Sequence, residues 1–288
     1  MKISIAMGKN PESDLPVQEW PEWRFFDQTI ELLADVISRV ATATDPDQVG
    51  VLYPFLDAIQ ESASSLRILV SHQALRDSYV IARVIYETAI NSCFLLTDPA
   101  KLSVRAQVHA KQKTLRNLVR KIEIAGTPLF EFKNRNADEL MREPTNMRWL
   151  EEFTSKSGRE ITSWTNENVQ QRLEAVYLTF GAEITRGLAF GLLLYRHASE
   201  IAHGTLYGTL FSWGAAEPGH PLKSPSDLGI FRRAELRHLL KLVSFSLESL
   251  IRVCAATLNS PSLDKSAQQP LREYYKARSE PTSVERDG

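Results

Sequence analysis

YVIARVIYETAINSCFLL (Tyr79 to Leu96) and RGLAFGLLLYRHASEIAHG (Arg186 to Gly204) decide how this chain is read. Each is a helical stretch that is almost wholly apolar yet carries a polar residue at every fourth position. Arg83, Glu87 and Asn91 recur in the first, and Tyr195, Ser199 and His203 in the second. A helix turns about 100° per residue, so a step of four drifts only about 40° and each trio forms one polar stripe. Desolvated charges are costly unless partners or a function hold them. The two stripes therefore mark a site, and the expectation is a single buried polar network joining them.

Outward from these stretches the periodicity stays helical. Helices are expected at about 25 to 42, 50 to 72, 74 to 97, 100 to 125, 136 to 156, 167 to 180, 185 to 204 and 231 to 258. Asp98-Pro99 ends one helix and starts the next, because a residue before proline avoids the α region and proline suits a first turn. Gly204 suits a C-terminal stop after His203, and Gly181, Gly187 and Gly191 suit close helix packing. TLYGTLFSW (Thr205 to Trp213) alternates like a short extended arm. The Pro/Gly/Ser-rich segment from Gly214 to Gly229 reads as a long loop. The fold class is thus all-α, a multi-helix bundle with a short extended or loop insertion near 205–229. Residues 1–24 form a Pro- and Trp-containing lead, 25–258 one helical domain and 259–288 a polar tail, a short helix with a frayed end.

Composition narrows the function classes. The chain has 288 residues, 43% hydrophobic and 24% charged, with 34 basic against 35 acidic residues and a formal net charge of −1. So even a balance exerts no global pull on nucleic acid or membranes, and polyanion binding requires a local basic patch. Two cysteines, Cys93 and Cys254, lie in apolar helical contexts and read as buried thiols of a reducing compartment. The first residues lack a sustained apolar run, and LAFGLLLY is too short to span a bilayer, so a cytoplasmic protein without membrane association is expected.

On a helical wheel Tyr195, Ser199, Leu192, His203 and Arg196 fall within about 100° of one another, with Arg196 and His203 on one side two turns apart. His197 and Glu200 point elsewhere. An Arg and a His on one face, with a hydroxyl between them, can hold a phosphate and move a proton. Arg196-His197-x5-His203 resembles the Arg-x4-6-His signature of HEPN-domain ribonucleases, in which a polar residue often follows the Arg. The same spacing also occurs at Arg67–His72 and Arg233–His238. More broadly, Arg83-x3-Glu87 followed by Tyr195-x3-Ser199-x3-His203 resembles an uncharacterised bacterial all-helical family of unknown function, over roughly residues 60 to 255. The HEPN likeness implies metal-independent RNA cleavage in a homodimer, in toxin, anti-phage defence or RNA-processing biology. Under it Arg196 holds phosphate, His203 is the acid/base, and Tyr195 or Ser199 orients them. No cofactor is implied.

Other constellations weigh less. Glu200-x2-His203 and Glu235-x2-His238 have the spacing of di-iron bundles, which need a further Glu from each of two helices; His238 faces away from its helix's apolar stripe, and no metal is expected. Ser199 sits mid-helix, without the strained turn of a hydrolase serine. Arg105, His109, Lys113, Arg116 and Arg120 fall largely on one side of the helix from Lys101, a candidate track for RNA phosphates. Two function classes remain: a HEPN-like endoribonuclease, or a non-enzymatic helical adaptor or ligand sensor; a regulatory protein partner is compatible with either.

Overall fold

The computed structural model describes residues 15–42, 50–215 and 224–279. Among these, eleven α-helices and one antiparallel hairpin form in the following order. They are α1 (Pro21–Ala41), α2 (Leu52–Ser71), α3 (Leu75–Leu95), α4 (Pro99–Asn117), β1 (Val119–Ile124), β2 (Thr127–Lys133), α5 (Ala137–Arg142), α6 (Pro144–Glu152), α7 (Val169–Phe180), α8 (Ala182–Ala202), α9 (Leu206–Ser212), α10 (Pro225–Thr257) and α11 (Pro261–Ser279). The all-α multi-helix bundle expected from periodicity is the architecture found.

Helix α10 is its axis. Every residue from Leu242 to Ala255 is buried, and a helix covered all round can only sit at the centre. Helices α1, α3, α8 and α11 pack against it, α2 covers α3, and α7 bridges α3 and α8. The α8–α10 crossing is unusually close. A Cβ on Gly187 would stand 1.9 Å from the Phe245 carbonyl oxygen, and one on Gly191 would stand 2.1 Å from the Tyr86 ring. The approach lets the Gly187 N–H donate to Ser249 Oγ at 3.0 Å and the Tyr86 hydroxyl donate to the Leu188 carbonyl at 2.9 Å. Gly187 and Gly191 are therefore packing positions, as their setting suggests. Gly181 has another role: nothing lies near its Cβ position, and its φ of 83° turns the chain between α7 and α8.

Both flanks of the helical run join the core. Trp20 and Trp23 are buried, and α1 starts at Pro21, ahead of the expected residue 25. Glu22, 2% exposed, accepts from Arg237 Nε at 2.8 Å, Arg278 Nη1 at 2.8 Å and the Tyr274 hydroxyl at 3.2 Å. Burial pushes this carboxyl up, but the hydrogen bond and charge of Arg237, with Arg278 behind it, hold it below the ordinary range. One carboxylate thus ties α1, α10 and α11. The polar segment from Pro261 to Ser279 is helix, with Leu263, Ala267, Pro270 and Tyr274 making a narrow buried stripe among polar residues; the frayed end expected after it, 280–288, lies outside the described residues.

Four further expectations are corrected. The helix expected to run to 125 stops at Asn117, and a hairpin follows, closed by Ala125 and Gly126 at φ 51° and 79°. The helix expected over 136–156 breaks at Glu143-Pro144, since proline restricts its predecessor. The extended arm at Thr205–Trp213 is helix α9: Thr205 accepts from the Gly208 N–H as N-cap, and its apparent alternation is also an i, i+4 pattern. Within the loop expected over 214–229, residues 216–223 lie outside the described residues, and α10 already includes 225–229. Asp98 caps α4 by accepting from the Lys101 N–H, with Pro99 at the first position, and Gly204 at φ 65° follows the end of α8, both as expected. Cys93 and Cys254 are free and buried. No described helix is long and apolar enough to cross a membrane.

Candidate functional site

The α3 stripe meets α8 and α7. Arg83 Nη2 donates to Glu87 Oε1 at 3.3 Å, four residues on, and its guanidinium lies 5.3 Å from the centre of the Tyr195 ring. Asn91 Oδ1 accepts from Arg172 Nη1 of α7. Burial raises the Tyr195 phenol, and Glu87 adds to the shift by charge and hydrogen bonding. Burial lowers Arg172, against the favourable fields of Glu87, Tyr195 and Glu167. Arg83, Glu87, Asn91, Arg172 and Tyr195 therefore form one network linking three helices. It is only part-sealed, because the Arg83 and Glu87 side chains keep 18% and 34% exposure. Ser199, half-buried, lies further along α8, and His203, exposed, caps its C-terminal end. No hydrogen bond or ion pair joins either side chain to the network among the described residues.

A second cluster sits at the C-terminal end of α8, and sequence reasoning missed most of it. His197 Nδ1 is 2.9 Å from the Tyr207 hydroxyl, and the imidazole stacks on Phe211 at 5.1 Å and 18°. Phe211 meets Tyr79 edge-on, and the Tyr79 hydroxyl donates to Glu235 Oε2 at 2.8 Å. Burial lowers His238, and Lys241 lowers it further. Beside this cluster opens a cleft of about 680 Å³ lined by Leu192, Leu193, Arg196, His197, Glu200 and Tyr207. Arg196 and His203 are both exposed, seven residues apart and so about 10 Å along the helix axis. The wheel sent His197 and Glu200 away from the Tyr195 stripe, but α9 folds back over α8 and turns that side into a cleft wall. The available signal for His197 was its place directly after Arg196.

The basic stripe of α4 is occupied within the chain. Arg105 Nε donates to the Trp164 carbonyl at 2.7 Å, and its Nη1 lies 3.4 Å from Glu152. His109 Nε2 is 3.2 Å from the Thr162 carbonyl. Burial lowers this imidazole against that hydrogen bond. Lys113 pairs with Glu160. Arg116 donates to Gln112 and Thr154, both at 2.7 Å, and to the Leu150 and Phe153 carbonyls. Arg120 lies on β1 rather than on the helix and donates to Asn117. Arg105, His109, Lys113 and Arg116 fasten α4 to the segment from Leu150 to Trp164. No group of three or more His, Cys, Asp or Glu side chains able to hold a metal ion occurs among the described residues.

Residues 50–219 match the model of a family of unknown function, DUF5677. The chain belongs to that family. Its match begins just before α2 and ends beyond α9, so it takes in the α3–α7–α8 network and the α8–α9 cleft but not α10. No curated protein and no solved structure matches the chain. Membership in DUF5677 agrees with the resemblance to an uncharacterised all-helical family drawn from the Arg83/Glu87 and Tyr195/Ser199/His203 spacing.

Proposed function

We propose that the C-terminal end of α8 is a phosphodiester-cleaving site and the protein a HEPN-like, metal-independent endoribonuclease. The observation that carries this reading is the joint exposure of Arg196 and His203 on one side of α8, beside a cleft that Arg196, His197, Glu200 and Tyr207 line. In this mechanism His203 takes the proton of a ribose 2′-hydroxyl as its oxygen attacks the adjacent phosphorus, and Arg196 stabilises the charge that develops on the phosphate oxygens. The P–O5′ bond breaks and the 5′-oxygen takes a proton from water, giving a 2′,3′-cyclic phosphate and a 5′-hydroxyl end. Tyr195, held under the Arg83 guanidinium, fixes the helix that presents both groups. A second copy brings a second Arg196/His203 end to the same RNA, in a cytoplasmic toxin or defence setting. The deciding experiment incubates RNA with the pure protein in EDTA: cleavage by wild type and none by Arg196→Ala or His203→Ala supports the reading, and intact RNA with wild type sinks it.

A specific observation favours the second reading, a non-enzymatic adaptor or ligand sensor. Arg105, His109, Lys113 and Arg116 are committed to partners inside the chain, so the broad phosphate track that RNA binding gains from is narrowed to the α8 end. Intact RNA together with earlier melting of the two variants selects this reading.

A further inference from the structure

Among the described residues nothing covers the hairpin that follows α4. Every residue of it except Val119 is exposed. Opposed residues of an antiparallel pair share a face, so the register Arg120↔Phe132 and Ile122↔Phe130 puts Ile122, Ile124, Phe130 and Phe132 on one side. These four keep 53%, 62%, 56% and 48% exposure. Lys121, Glu123, Glu131 and Lys133 alternate with them on the other side, where Lys121 Nζ lies 2.6 Å from Glu123 Oε1. A lone two-stranded hairpin is marginal in water, and stability needs further strands sharing an apolar face.

Its two edges differ. Strand β2 carries Pro128, which has no N–H, and a bulge in which Leu129 is left unpaired; both are devices that blunt an edge. Strand β1 carries neither, and its outer edge has no strand neighbour among the described residues. The β1 sequence Arg120-Lys-Ile-Glu-Ile124 is also self-complementary in charge. Run antiparallel to itself about Ile122, it sets Lys121 opposite Glu123 of the other copy, twice over by symmetry. Such an isologous match is what a two-fold contact requires.

We propose that β1 pairs antiparallel with β1 of a second copy of this chain about Ile122, so that the two hairpins form one four-stranded sheet. The four apolar side chains of each copy then line a single face. The partner is a second copy because the register that joins the edges also satisfies both charges. The proposal stands independently of the RNA reading.

Charge variants of the full chain test it by sedimentation. Lys121→Glu faces Glu123 and Glu123→Lys faces Lys121, so each alone should dimerise about tenfold more weakly. Mixed, the two variants should pair with each other, which a merely intrachain Lys121–Glu123 contact does not predict. Ile122→Cys should form a disulfide-linked dimer under mild oxidation, faster than Leu129→Cys. The native Cys93 and Cys254, 0% and 1% exposed, do not compete. A monomeric wild type, or a dimer indifferent to both charge variants and without the Ile122→Cys cross-link, overturns the proposal and leaves the nuclease test untouched.

Discussion

Glu248 Oε1 lies 3.6 Å from Arg252 Nη1, one turn along α10, at ion-pair range but beyond a good hydrogen bond. Arg252 directs its donors elsewhere: Nε to Asp264 at 2.8 Å, Nη1 to the Glu183 carbonyl at 3.0 Å and Nη2 to Glu183 Oε1 at 2.9 Å. Glu248 is 5% exposed, and its Oε1 has no hydrogen-bond partner among the described residues. Burial therefore pushes its carboxyl from 4.5 up to about 7, against the pull of Arg252, with Asp264 and Glu183 adding to the rise. A carboxyl whose folded value exceeds its unfolded one binds more protons in the folded state, so stability falls as pH rises from about 4.5 to about 7. Melting temperature should drop between pH 5 and pH 8 in wild type, and Glu248→Gln should flatten that slope. Glu22, held low, acts below this window, losing its contribution as pH falls. A wild-type melting curve insensitive to pH over this range would show Glu248 to be hydrated.

Gly187→Ala and Gly191→Ala should each destabilise by about 1–3 kcal/mol or more, the range of core overpacking. Gly187 is the worse case, because its methyl group meets backbone at 1.9 Å, whereas that at Gly191 meets the rim of a side-chain ring at 2.1 Å. Thermal melts decide it, and near-wild-type stability for Gly187→Ala would mean that α8 and α10 can move apart.

For Glu87→Ala the partial exposure of the ion pair sets a small effect. With Arg83 and Glu87 open to solvent at 18% and 34%, loss of the pair should cost about 1 kcal/mol. A loss of several kcal/mol in denaturant titration would indicate a dry network. The same measurement on Arg172→Ala reads the Asn91 link.

At the hairpin turn, Ala125 occupies left-handed space at φ 51°, where asparagine is more at ease, and Asn-Gly is the favoured pair for a two-residue reversal of this hand. Ala125→Asn should therefore slow amide exchange in β1 and β2 without changing the melting of the helical core. Unchanged exchange would place the limit on hairpin order elsewhere.

The helices were legible where burial and period coincide, as in α3 and α8, whose stripes Arg83/Glu87/Asn91 and Tyr195 do meet. The hairpin was not, because Ala-Gly lacks the usual turn signature and VRKIEI also continues the α4 pattern. Only a short helix was expected where α11 runs, and its full length was hidden by its narrow stripe: four buried positions among many polar ones carry little periodic signal. Arg172 escaped because a lone Arg on an ordinary amphipathic helix looks solvated until Asn91 faces it. His197 and Tyr207 are adjacent only because α9 reverses direction at Gly204, a tertiary fact with no local trace.

The Glu22 junction has a bearing on synthesis. Two of the three groups that hold its carboxylate, Tyr274 and Arg278, are translated 252 and 256 residues after it, and Arg237 follows it by 215. While the nascent chain emerges, α1 must keep an acidic group in water that the finished molecule seals away. The Glu22 carboxylate can be sealed only once α10 and α11 have been made, so α1, the first α-helix of the described residues, completes its packing late.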